Sequence, residues 1–341
     1  QDLKKGTLDA FDFYLTSKNV MLNSKDSSKP YFVIKDNFNN MLMHIGSTQF
    51  WLKSADYSED YDGDPEAGMK IDLATGKIDA FNFSLVSRKV KLSTSGTTAK
   101  PYLEIVGEDR DETIITFDDH ANINKMGTFR TYTLKVNGNN LVFRNLTIEN
   151  NAPQLGQAVA LHTEGDCVKF INCRFLGNQD TIYTGGRYAR LYFKDCYIEG
   201  TTDFIFGPAT ALFENCHIHC KRNSYITAAS TPKEVKYGYV FKKCRITTAE
   251  NVTKMYLGRP WRPYAYTLFM ECELDKNICP EGWHNWGNVD NEKTARYLEY
   301  NNTGDGASVM ERVKWSRQLT KKEAAEITVE NLFMQENDWV F

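Results

Sequence analysis

The sequence predicts an all-β fold, a parallel β-helix, from three observations: a short phrase repeated six times, a fixed spacing of apolar columns within it, and a bend-forming residue between the columns. The copies read LVFRNLTI, VKFINCRF, LYFKDCYI, ALFENCHI, YVFKKCRI and TLFMECEL, and lie within residues 141–274. Phe143, Phe170, Phe193, Phe213, Phe241 and Phe269 form one column. Three residues later Leu146, Cys173, Cys196, Cys216, Cys244 and Cys272 form a second. Two further on, Ile148, Phe175, Ile198, Ile218, Ile246 and Leu274 form a third. Successive members of the Cys column are 27, 23, 20, 28 and 28 residues apart. A period in the twenties with variable insertions marks a solenoid whose coils carry loops of different length.

The phase within each copy identifies the solenoid. The second and third columns are two residues apart and so share one face of a strand. The Phe column is out of that phase unless the chain bends in between. The residue before the second column is Asn145, Asn172, Asp195 and Asn215 in the first four copies. Asn and Asp are the non-glycine residues that best tolerate a left-handed bend. Helical repeats would need apolar spacings of three and four over roughly ten or more positions, and these runs are too short. A β-sandwich with chance similarity is the alternative.

Composition excludes some function classes. A formal net charge of −3 lacks the basic excess expected of a nucleic-acid binder. Hydrophobic residues make up 41% of the 341 residues, enough for a core, and no apolar run is long enough to span a membrane. The sequence opens at Gln1 without a basic, apolar and small-residue leader, which fits a cytosolic chain or one numbered after removal of a signal peptide. Five of the eight cysteines lie on the ladder, where Cys acts as a small buried apolar residue. Cys167, Cys220 and Cys279 lie off it. No CxxC or Cys/His spacing suggests a metal, so neither metal nor cofactor is expected.

In chain order, LDAFDFYLTSKNVMLNS at residues 8–24 returns as IDAFNFSLVSRKVKLST at residues 78–94, and its alternation reads as strand. The acidic, turn-rich stretch at residues 54–68 could be a calcium loop, but it lacks the EF-hand spacing and closing Glu, so a solvated loop is expected. EGWHNWG at residues 281–287 looks like an ordered loop. LTKKEAAEITVENLF offers Thr320 as an N-cap with Glu323 three residues on, opening a short helix that caps or straps the coils.

The chemistry sits on the ladder. Asp180 in GNQDTIY follows Cys173 by seven residues, and Asp203 in TTDFIFG follows Cys196 by seven. Both therefore occupy one slot on adjacent coils, about 4.8 Å apart in a parallel stack. Two carboxylates so close cannot both ionise cheaply, so they can divide acid and nucleophile or base roles. Each taken alone reads as a turn aspartate. Gln179 and Gln157 carry uncharged donors suited to an oxyanion, though a buried Gln satisfying backbone groups is the plainer alternative. LGRPW offers Arg259 to orient a carboxylate and Trp261 as a flat face for a sugar ring.

GQAVALH, GNQDTIY, DFIFG and LGRPW, in this order, resemble the four signature segments of the pectin methylesterases, and EGWHNW and EYNNTGDGA…RVKW resemble that family's C-terminal region. The resemblance runs from about residue 105 to 315. It implies a right-handed parallel β-helix with a short C-terminal helical cap, acting on methyl-esterified homogalacturonan (pectin), secreted or periplasmic, and monomeric. It implies Asp203 as nucleophile on the methyl-ester carbonyl and Asp180 as acid and then base. Gln157 and Gln179 would hold the oxyanion, and Arg259 would bind Asp203 and keep it charged. Tyr183, Phe206, Trp261 and Thr133 would line the groove. Residues 1–104 are then expected to form opening coils and a cap, and residues 105–341 the catalytic helix. The family's glycine-rich opening strand and first helix are missing from this sequence, which leaves the N-terminal cap's shape open. Three alternatives remain: a polygalacturonase-like glycosidase, for which carboxylates about 5 Å apart are also suited, a calcium-dependent lyase, and a non-catalytic sugar-binding solenoid.

Overall fold

The computed structural model describes seven short strands between residues 32 and 92, and residues 103–333 without interruption. The regular part is a right-handed parallel β-helix with three sheets of 14, 8 and 7 strands. Each coil contributes one strand to each sheet. One coil runs Val168–Ile171, Arg174–Leu176 and Ile182–Thr184; the next runs Arg190–Lys194, Tyr197–Gly200 and Ile205–Gly207. The repeated phrase is the first strand, a bend and the second strand. The loops before and after the third strand both vary in length, which is why the period varies.

The bend takes the expected form. Asn145, Asn172, Asp195 and Asn215 have φ of 53, 51, 54 and 54°. Lys243 and Glu271, in the last two copies, adopt the same conformation at 54 and 55°. A left-handed residue turns the chain so that both the Phe column before it and the Cys column after it face inward. Side chains at the bends also link coils: Asn172 Nδ2 donates to Asn145 Oδ1 at 2.9 Å and Asn215 Nδ2 to Asp195 Oδ1 at 2.5 Å.

The core is a set of ladders. The six Phe rings stack with centroids 4.9, 4.9, 4.7, 4.5 and 4.3 Å apart along the axis. All are fully buried, so truncating any one to Ala should cost about 3–5 kcal/mol. The Cys column stacks beside them, and each thiol donates to the Phe carbonyl of the preceding coil, from Cys173 to Phe143 O at 3.5 Å through Cys272 to Phe241 O at 3.4 Å. Cys therefore fills a small apolar slot and also gives a weak donor to an otherwise inward carbonyl. All eight cysteines are buried free thiols.

At the N-terminal side, the second copy of the longer repeat forms strands Lys77–Phe81, Ser84–Val86 and Val90–Leu92, each pairing in parallel with the next coil. Four antiparallel strands, starting at Phe32–Lys35, extend the first sheet beyond it. The first copy, at residues 8–24, and the acidic stretch at 54–67 lie outside the described residues.

At the other end, Thr320 and Glu323 make the expected capping box on Lys321–Ala325, but the helix stops there and a second short helix, Val329–Phe333, follows. Leu319, Ala324, Ile327, Leu332 and Phe333 cover the outer apolar face of the first sheet, formed by Tyr192, Leu212, Val240, Leu268 and Leu298. The tail is a strap along the coils. The loop at residues 281–287 buries Trp283 against Phe269 and Tyr297, and its indole N–H donates to buried Glu299. Arg312 holds the same carboxylate with a guanidinium fork at 2.8 and 3.2 Å.

Candidate active site

The site lies on the outer face of the seven-stranded sheet. Asp180 stands two residues before Ile182–Thr184 and Asp203 two before Ile205–Gly207, and Ile182 pairs with Ile205 and Tyr183 with Phe206. The two carboxylates therefore share one slot on adjacent coils. Both aspartates are left-handed, with φ of 67 and 49°, a conformation Asp tolerates at modest cost and one that concentrates at functional sites. Each is anchored by its amide, from Asp180 to Thr202 O at 3.1 Å and from Asp203 to Tyr225 O at 2.8 Å. Gly207 closes the segment at φ 131°, where a Cβ would stand 2.3 Å from Thr184 O, so only glycine lets the coils approach here.

Arg259 binds Asp203 through one edge of its guanidinium, Nε donating to Oδ1 at 3.0 Å and Nη2 to Oδ2 at 2.6 Å. Asp203 is 5% exposed and Asp180 8%. Asp180 makes no side-chain hydrogen bond among the described residues. Burial, then the Asp203 charge, pushes its carboxyl well above the usual carboxylate range, opposed only in part by Arg259. Burial raises Asp203 as well, against the Arg259 hydrogen bonds and charge. The guanidinium offsets part of the desolvation at Asp203, so the upward push is larger at Asp180.

Gln157 and Gln179 sit on successive coils, where the Ala158 amide donates to Gln179 O at 3.0 Å. Both are half-buried, and among the described residues neither side-chain amide is engaged in a hydrogen bond. Tyr183, Phe206 and Trp261 form one aromatic wall, with centroids 4.9 Å apart for the first pair and 5.9 Å for the second. Thr133 does not join this wall. It is 1% exposed and its hydroxyl donates to Glu149 O at 2.8 Å. Its half-buried neighbour Tyr132 packs against the same aromatic cluster instead.

Three aromatic residues escaped the sequence reading. Phe129, 45% exposed, lies 4.9 Å from Tyr183 and 6.4 Å from Trp261; it comes from a 3-10 turn with no repeat signal. Tyr225 occupies the slot of the two aspartates one coil further on, since Ile205 pairs with Thr227, and following the Asp column for one more turn finds it. Trp286 comes from the loop at residues 281–287. Tyr225 and Trp286 lie on either side of the Arg259 guanidinium, 3.9 and 3.7 Å from its carbon to the ring centroids. No group of three or more His, Cys, Asp or Glu side chains among the described residues is arranged to hold a metal ion.

A buried carboxylate pair, one member forked to a cation and the other free to hold a proton beside half-open amides, suits acyl transfer. Comparison with known proteins agrees. The family model described as Pectinesterase matches residues 90–337. A curated Arabidopsis thaliana protein, Pectinesterase 31, is 41% identical over 250 residues, covering 70% of this chain and 78% of the relative. Another from that plant, probable pectinesterase/pectinesterase inhibitor 6, is 40% identical over 69% of this chain, which spans only 43% of that relative's length. Among solved structures, the carrot pectin methylesterase has a TM-score of 0.67 at 28% identity, covering 82% of this chain and 86% of its own. A pectin methylesterase solved in complex with a hexasaccharide has a TM-score of 0.64 at 26% identity, covering 76% of this chain and 89% of its own.

Proposed function

We infer the reaction from a premise these matches establish: the chain belongs to the pectinesterase family, whose members are carboxylic-ester hydrolases. The protein hydrolyses methyl esters of galacturonate units in pectin, releasing methanol and leaving the de-esterified polymer. The observation that carries this reading is the Asp203–Arg259 fork with Asp180 in the same slot one coil away.

In this reading an Asp203 oxygen attacks the ester carbonyl carbon, and the carbonyl electron pair moves to oxygen. The Gln157 and Gln179 amides stabilise that oxyanion. When it collapses, the bond to the methoxy oxygen breaks and Asp180 donates its proton, so methanol leaves and an anhydride joins Asp203 to the sugar acid. Asp180, now ionised, takes a proton from water as the water oxygen attacks the sugar acyl carbon. Asp203 departs as a carboxylate and Asp180 is protonated again. One water is consumed and one methanol formed per ester. The raised pKa of Asp180 suits a group that must hold its proton and then donate it. The aromatic wall offers flat faces to successive sugar rings, consistent with the hexasaccharide held by the relative.

Two further statements belong to this reading. The substrate is an extracellular polymer, so the protein acts outside the cell or in the periplasm. All the proposed site residues come from one chain, so a monomer suffices.

Asp203→Ala should abolish methanol release; because it leaves the Arg259 guanidinium without its carboxylate, it should also lower the melting temperature, and activity is read on a variant shown to be folded. Gln179→Ala should lower kcat by on the order of a hundredfold, the usual effect of losing one oxyanion donor. A folded Asp203→Ala variant that still releases methanol would remove the nucleophile assignment.

A further inference from the structure

The Arg259–Asp203 fork is itself held from both sides. A guanidinium donates only in its plane, so its angle to a carboxylate decides whether both hydrogen bonds form. Tyr225 lies on one face of Arg259 at 3.9 Å and Trp286 on the other at 3.7 Å. Two ring faces at that range block rotation out of the carboxylate plane and shield the cation from water.

Both rings are held in place, and His284 contacts both residues. Tyr225 begins the strand Tyr225–Ala229, directly after the Asp203 coil, and its carbonyl accepts the Asp203 amide. Trp286 adopts φ of 65°, which a bulky aromatic residue rarely does and which its surroundings must enforce. Its amide donates to Nδ1 of His284 at 3.0 Å. Asn285 accepts the Gly287 amide at 2.8 Å and donates to Glu292 at 2.7 Å, and Asn291 donates to the Asn285 carbonyl at 3.1 Å. The His284 ring packs against Tyr225 and Tyr256 with centroids 5.3 and 5.5 Å away. Because Nδ1 accepts a hydrogen bond, the proton of the neutral ring is on Nε2. Burial, then the charges of Arg259 and Lys254, lower the pKa of that ring, which favours its neutral form.

We propose that Tyr225 and Trp286 are positioning residues that clamp the Arg259 guanidinium in the plane of the Asp203 carboxylate, and that His284 holds the Trp286 half of the clamp. The proposal rests on the reading of Asp203 as nucleophile and goes beyond it. It gives Trp286 a part in catalysis without requiring it to touch the sugar. A loosened guanidinium would stabilise the ionised Asp203 less, against the buried Asp180 and Tyr297 that also face it. Asp203 would then protonate at higher pH.

The test compares Trp286→Ala and Trp286→Phe across the pH–rate profile for methanol release from methylated pectin. Trp286→Ala should lower kcat by on the order of tenfold or more, with KM changed little, and should move the acid limb of kcat/KM to higher pH. Trp286→Phe, which keeps a ring face, should restore most of both. A Trp286→Ala enzyme with a raised KM but an unmoved kcat and acid limb would overturn the clamp and make Trp286 a sugar platform. So would failure of the Phe variant to restore either quantity. If Trp286→Ala does not fold, His284→Phe keeps a ring and removes the acceptor, while His284→Asn offers an oxygen in its place. The first should reproduce the acid-limb shift in smaller measure and the second should largely reverse it; identical profiles for the two would overturn the proposal. Asp203→Ala measured alongside separates the two levels. Methanol release by that variant ends the nucleophile reading, whereas an inactive Asp203→Ala with wild-type behaviour at Trp286 ends the clamp alone.

Discussion

In the proposed reaction Asp180 serves activity at the expense of stability. Its carboxyl is 8% exposed beside a second carboxylate, so its folded pKa is raised above its unfolded one. The folded state therefore binds this proton more tightly than the unfolded state. The stability gained from the protonated group is fully present below the ordinary Asp value near 4 and is lost as pH rises through the folded value. Asp180→Asn removes that loss. The variant should melt a few degrees above the wild type at pH 7, match it near pH 3, and release no methanol. Paired thermal melts at the two pH values check this, and a variant less stable at pH 7 would mean that Asp180 has a stabilising partner. The identities of this pair were legible because both aspartates sit a fixed distance after a Cys-column residue. Thr133 was not, because it lies in a bend ahead of the strand Leu134–Val136, where no repeat fixes the direction of a side chain.

At the scale of the strand and its bend, the repeat was legible where residue chemistry and geometry coincide. Asn and Asp mark the left-handed position in four copies, but Lys243 and Glu271 hold φ of 54 and 55° in the last two without any such preference. There the pairing of neighbouring coils imposes the bend on residues that resist it. Lys243→Asn should therefore stabilise the protein by about 1 kcal/mol, since the left-handed conformation costs an ordinary L-residue roughly that much. A denaturant melt with unchanged slope and a higher midpoint would register it; an unchanged or lower midpoint would mean that the Lys243 side chain contributes something a bend residue does not. The split of the expected C-terminal helix into two has a similar origin. The Thr320 capping box starts it as read from sequence, but Ile327, Leu332 and Phe333 must all reach the flat outer face of a sheet, and a single straight helix would carry some of them away.

Across the whole molecule, the solenoid turns a linear repeat into a linear binding surface. Successive coils place Asp180, Asp203 and Tyr225 in one slot, and Tyr183 and Phe206 in the next row. The axis of the protein and the direction of a bound polymer can thus coincide. The clamp on Arg259 belongs to this scale too. Trp286 reaches it from a loop beyond the last regular coil, a contact no repeat period could announce. Position on the solenoid makes an enzyme of this chain, but the fold alone leaves esterase and glycosidase equally possible, because paired carboxylates serve both. The uncharged Gln157 and Gln179 donors and the Arg259 fork favour attack at an acyl carbon. The most direct test follows methanol and polymer length together in one digest of highly methylated pectin by the wild-type protein. The account predicts that methanol accumulates while the mean chain length stays constant and no unsaturated ends appear. Shortened chains without methanol would contradict it.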